Sequence, residues 1–80
     1  MADATLEGKI ADILALVLQR PVVPADAISR DHEPRWDSLK HIEIIFALED
    51  ALNVRFDEDD IAEIKNFDDI VRLAEAKRAA

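Results

Sequence analysis

The sequence predicts an all-α fold, a small four-helix bundle of three main helices plus one short helix, with a long loop between helices 1 and 2. Three observations predict it. The 80 residues include one glycine, three prolines and no tyrosine, so little is available for the glycine turns and aromatic strands of a β-fold. Apolar residues recur at helical spacing. Side chains able to cap a helix stand just ahead of each helical stretch. The length fits one domain, residues 1–80.

The first helical signal runs from about Asp3 to Gln19. Leu6, Ile10, Ile13, Leu14 and Val17 share one face, Asp3 or Thr5 can cap it, and Pro21 stops it. A connector follows from Pro21 to about Asp37, holding Pro21, Pro24 and Pro34. Val22, Val23 and Ile28 imply that it packs down on the bundle. Loops of that length are often functional.

The second helix is predicted from Ser38 to about Asn53, with Asp37 as N-cap. The third, short element follows the run D-E-D-D and carries Ile61 and Ile64. Asp57 can cap it, with Asp60 at the return position of a capping box. The last helix begins after Asn66, with Asp69 three residues on. It carries Phe67, Ile70, Val71, Leu73 and Ala74, and ends in Lys77 and Arg78, which suit the C-terminal end of the dipole.

Charge and size exclude several functions. Eighteen acidic residues against ten basic ones give a net charge of −8, which repels phosphate backbones and anionic lipid. Neither nucleic acid nor membrane is an expected partner, and a basic protein patch is the natural complement. No cysteine is present, so any thiol chemistry needs a cofactor. No apolar run approaches the ~20 residues that span a bilayer, and the N-terminus carries acid where a signal peptide carries base. The expectation is a cytoplasmic, monomeric protein. A chain this short buries only about 60–65% of its unfolded surface, which leaves little room for a catalytic cavity.

The second helix carries one apolar stripe more than it needs. Stepping about 100° per residue from Ser38, one stripe gathers Ile44, Ile45, Leu48, Ala51 and Leu52, with His41 among them. A second gathers Leu39, Ile42 and Phe46, interleaved with Glu43, Glu49 and Asp50. Large hydrophobes mixed with carboxylates have the composition of a docking face, in which acids steer a basic partner. A helix buried on two sides is the other reading of this pattern. Ser38 stands at the helix head, where unpaired N–H groups and the dipole favour an anion. Pro34, Arg35 and Trp36 put its hydroxyl at the end of a loop.

The stretch W-D-S-L-K-H-I-E-I-I-F-A-L-E-D, Trp36 to Asp50, resembles the serine motif and recognition helix of the acyl carrier protein family. V-R-F followed by D-E-D-D, and F-D-D-I-V at the last helix, are similar to the family as well. The resemblance implies that a phosphopantetheinyl transferase esterifies Ser38 with phosphopantetheine from coenzyme A, whose thiol then carries an acyl group as a thioester for loading and transferring enzymes with basic docking patches. It implies partner binding by Asp37, Leu39, Ile42, Glu43, Phe46, Glu49 and Asp50. It implies an acyl-chain interior lined by Ile45, Leu48, Phe56, Ile61, Ile64 and Ile70. Arg35-Trp36 replaces the small pair, such as Gly-Ala, common in the family, and Lys40 and His41 also depart from its pattern. The W-D-S-L form is more similar to discrete carriers of specialised pathways, among them polyketide-type, aminoacyl, D-alanyl and peptidyl carriers.

No catalytic or metal constellation emerges. Ser38 and His41 point about 60° apart on one helix, and a triad also needs an oxyanion hole. The D-E-D-D run lacks the glycine and the late glutamate of a calcium loop. An acidic helical adaptor without a prosthetic group is the alternative of another class.

Overall fold

The computed structural model describes residues 5–79. Four α-helices follow in order: α1 Leu6–Leu18, α2 Ser38–Leu52, α3 Glu58–Glu63 and α4 Phe67–Ala79. No strand occurs among the described residues; a single antiparallel bridge joins Ser29 to Asn66. The structure is a small all-α bundle, as the composition predicts.

Each helix begins at a cap written in the sequence. Thr5 accepts a hydrogen bond from the Gly8 amide at 3.0 Å. Asp3 lies outside the described residues. Asp37 accepts from the Lys40 amide at 2.8 Å. Asp57 and Asp60 form a reciprocal capping box at the head of α3, with bonds of 2.8 and 3.1 Å. Asn66 accepts from the Asp69 amide at 2.8 Å, while Asp69 reaches one residue further back, to the Lys65 amide. α1 and α2 end on Gln19 and Asn53 in the left-handed conformation, with φ of 56° and 55°. Asn takes that conformation at little cost, whereas Gln carries a steric penalty.

The core is one cluster drawn from every segment. Ile10, Leu14 and Leu18 of α1 meet Ile44, Ile45 and Leu48 of α2, and Ile70 and Ala74 of α4 close the third side. α1 packs against both α2 and α4, and this turns its buried face. Ala11 and Leu18 are buried, whereas Leu6, Ile13 and Val17 are only partly covered. The expected face of α1 is corrected accordingly, because a helix flanked on two sides buries a wider and shifted arc. On α2, Ala51 is exposed, since it lies at the edge of the stripe and no neighbour reaches it. Ile64 sits just beyond α3, extended and fully buried.

The connector packs down as expected, with Val22, Ile28 and Trp36 buried in the same cluster while Val23 stays exposed. It is tied at both ends. Arg20 pairs with Glu33 at 3.2 Å. Arg35 donates to the Gln19 carbonyl at 2.7 Å, placing a cation at the negative end of α1. Lys77 does not serve its own helix end: its ammonium pairs with Asp60 across on α3 and lies 6.0 Å from the centroid of the Phe56 ring. That contact holds the Asp60 carboxyl below its ordinary range. The Arg78 side chain lies outside the described residues.

Candidate functional site

Ser38 is the first residue of α2, exposed, one position after the Asp37 cap. Its position depends on two anchors immediately before it. Arg35 holds the loop to the end of α1. Trp36 is buried to 3% exposure and its indole Nε1–H donates to His41 Nδ1 at 3.0 Å. His41 in turn places Nε2 2.8 Å from the Ile61 carbonyl. These partners assign the tautomer: Nδ1 accepts from the indole, so Nε2 carries the proton and donates to Ile61. The ring is neutral. Burial holds its pKa below the ordinary value of 6.5, partly offset by the bond to Ile61, and the Arg30 charge adds to the lowering. The stacked rings, 6.1 Å between centroids, tie the Ser38 loop to α2 and, through Ile61, to α3.

Neither Trp36 nor His41 was singled out by the sequence as part of a polar chain. The signal was present in weak form: a histidine on the inward stripe of a helix requires a buried partner, and the indole five residues earlier is a donor that is itself apolar enough to be buried with it. His32, by contrast, is exposed and bonds locally to Ser29 Oγ at 2.9 Å.

A cleft of about 590 Å³ opens beside Ser38, lined by Arg30, Asp31, Trp36, Ala62 and Lys65. Such volumes accommodate molecules of cofactor size, for which clefts run about 300–1,000 Å³.

The second stripe of α2 faces outward. Leu39, Ile42 and Phe46 are 67%, 41% and 65% exposed. Glu43 and Asp50 are exposed beside them, and Glu43 makes a pair with Lys40 at 3.3 Å. Glu49 behaves differently: half-buried, it accepts from the Phe56 amide at 2.9 Å and stitches the loop after α2 to the helix. It lies where the two stripes meet, close enough to the core for its carboxylate to turn inward. The reading of α2 as buried on two sides does not match these exposures.

The six residues expected to line an acyl-chain interior sit together but closely packed. Leu48, Ile64 and Ile70 are fully buried, Ile45 and Phe56 nearly so, and Ile61 half-buried. A wider groove of about 840 Å³ lies at the far end of α2, between Phe46, Asp50, Arg55, Leu73 and Lys77, and none of the six lines it. No group of three or more metal-binding side chains clusters among the described residues, and none of their helices is long and apolar enough to cross a membrane.

No family model matches the chain, and no solved structure matches it. It is 36% identical over 81 residues to Acyl carrier protein 3 of Ralstonia nicotianae, a match covering 100% of this chain and 93% of that protein. With likeness of that degree along its whole length, the chain belongs to the acyl carrier protein family.

Proposed function

We propose that this chain is one 80-residue domain that holds acyl groups on a phosphopantetheine arm at Ser38 and presents them to partner enzymes without catalysing a step itself. One observation carries the reading: the Ser38 hydroxyl is exposed at the head of a long helix, and among the described residues it has no protein hydrogen-bond partner. A nucleophilic hydroxyl tied up by a neighbour, or turned into the core, would not accept such a group. The helix head favours the anion that attachment creates.

Attachment is a group transfer performed by a phosphopantetheinyl transferase. Ser38 Oγ forms the new bond to phosphorus, its proton passes to a base of the transferase, and the adenosine 3′,5′-bisphosphate portion of coenzyme A departs. The bound group supplies a terminal thiol, which this cysteine-free chain lacks, and holds acyl groups as thioesters. The chain's own residues do the rest. Asp37 holds the first turn of α2, while Arg35 and Trp36 fix the loop ahead of it.

Docking belongs to the outer face of α2. Leu39, Ile42 and Phe46 provide contact area, and Glu43 and Asp50 steer a basic patch toward Ser38. Asp37 and Glu49 serve this face by shaping its two ends. Because Ile45, Leu48, Phe56, Ile61, Ile64 and Ile70 are packed together, sheltering a chain among them requires α3 to move, and α3 is the shortest helix, six residues long. The W-D-S-L form supports a carrier of a specialised pathway, with acyl or aminoacyl cargo.

Intact mass tests the reading. Incubation with coenzyme A and a broad-specificity phosphopantetheinyl transferase adds one phosphopantetheine to the wild type and none to Ser38→Ala. No gain in the wild type, under conditions that load a known carrier, leaves the unmodified acidic adaptor as the function.

A further inference from the structure

Two cations face each other beside Ser38. The bridge between Ser29 and Asn66 is antiparallel, and it is flanked by bonds from the Arg30 amide to the Lys65 carbonyl and from the Phe67 amide to the Ile28 carbonyl, both 2.9 Å. In that register Arg30 stands directly opposite Lys65. Opposed residues of an antiparallel pair hold their Cβ atoms about 4.5–5.5 Å apart, and like charges there destabilise the pair. Neither side chain forms an ion pair among the described residues, in a chain with eighteen acids and only ten cations. Other cations of this chain do find partners: Arg20 takes Glu33, Lys40 takes Glu43, and Lys77 takes Asp60.

Both cations line the 590 Å³ cleft that Ser38 borders. Two carboxylates line it too: Asp31 forms no ion pair with either cation, and Asp37 is held by the Lys40 amide. The walls are firm. Trp36 is pinned to His41, and the two cation-bearing segments are stapled to each other. Two cations that line one cleft with no acidic partner among the described residues favour an anion arriving there, and a phosphodiester on Ser38 is such an anion, tethered at the cleft.

We infer that Arg30 and Lys65 are positioning residues for the phosphodiester of an arm on Ser38, drawing its charged end into the cleft walled by Trp36 and Ala62. The inference rests on Ser38 being the attachment point. It assigns to the connector and the α3–α4 junction, rather than to α2, the task of setting where the arm starts.

The test uses the full chain loaded enzymatically, in five forms besides the wild type: Arg30→Gln, Lys65→Gln, the double variant of both, the charge-keeping exchange Arg30→Lys with Lys65→Arg, and Arg55→Gln. Arg55 is an exposed cation at the far groove and serves as the control. Intact mass reports loading and circular dichroism reports folding. The readouts are the ³¹P linewidth of the loaded protein and the apo-to-holo shifts of the Trp36 indole and Ala62 amide. The wild type, the charge-keeping exchange and Arg55→Gln are expected to give a broad ³¹P line that narrows at 1 M salt, where the Debye length is about 3 Å. In the double variant the line is narrow at low salt and the shifts at Trp36 and Ala62 are lost. Each single variant loses part of the effect, which decides the matter if the double variant does not fold. Equal linewidths and shifts across fully loaded proteins overturn the inference and leave the Ser38 reading standing. Absence of any mass gain in the wild type overturns both.

Discussion

The two faces of α2 are built from the same kinds of residue and meet opposite fates. The inward face, Ile44, Ile45 and Leu48 with Leu52 below, is sealed against α1 and the rest of the core, and its one polar group, His41, has both ring nitrogens bonded. The outward face carries Leu39, Ile42 and Phe46 in the open, bordered by Glu43 and Asp50. The difference teaches that side-chain apolarity does not decide burial here; the neighbour does. α1 and α4 cover one side only. A second stripe without a cover stays compatible with water because it is only three hydrophobes long and carboxylates line its edges, a patch size ordinary on protein surfaces.

The sharpest way to break the comparison is to truncate one large residue on each face. Leu48→Ala empties a fully buried position and should cost about 2–5 kcal/mol. That is a large part of the roughly 4–12 kcal/mol expected of a folded chain this size at about 0.05–0.15 kcal/mol per residue. Phe46→Ala should change stability by less than about 0.5 kcal/mol. Urea unfolding of both measures the contrast. Similar losses would mean that the outer face is covered after all.

The polar member of the inward face comes next. His41→Ala strands the buried Trp36 indole donor, a loss of about 1–3 kcal/mol. The same residue makes the inward face sensitive to acid. Its folded pKa lies below the unfolded value of 6.5, so in that range the unfolded chain binds more protons. This contribution to stability is complete above the unfolded value. It declines as pH falls through 6.5 and goes on declining until the folded value is passed. In His41→Gln, which keeps a donor and an acceptor without a titration in this range, that share of the decline should vanish. Urea melts from pH 8 to pH 5, followed by Trp36 fluorescence, measure the difference. Parallel pH profiles for wild type and variant would show that His41 does not titrate on unfolding.

A smaller effect separates the ends of the helix. Asp37→Ala removes the bond to the Lys40 amide and should cost about 0.5–2 kcal/mol, with lower amide protection in the first turn of α2 and unchanged protection in its middle. The smallest stability effect belongs to the outer acids. Glu43→Lys and Asp50→Lys should leave the melt within about 0.5 kcal/mol, yet slow loading by a basic transferase at low salt, with the difference shrinking as salt screens it. Loading rates unaffected at low salt would remove the docking role from this face.

Much of the fold was legible before any coordinates. The caps Thr5, Asp37, Asp57 and Asn66, the box acid Asp60, and the two stripes of α2 all follow from residues three or four positions apart. The exposed hydroxyl of Ser38 at a helix head was legible for the same reason. Several features were not. Glu49 reads as a surface acid until the Phe56 amide comes back to it across a turn seven residues long. Arg35 and Trp36 read as an odd pair ahead of the serine; folded, one holds the end of α1 and the other fills the core above His41.

By itself, then, the sequence determined that the chain is helical, where each helix starts, which faces are apolar, and which serine heads the exposed helix. Caps and amphipathic stripes act over one or two turns, so neighbours in sequence are enough to specify them. Only the tertiary structure decided which stripe of α2 is covered, that Lys77 binds Asp60, and that Arg30 stands opposite Lys65. Those outcomes join segments 17 and 35 residues apart in the last two cases. Their partners are chosen by how the helices pack and by the register of a single bridge, and no local pattern encodes either.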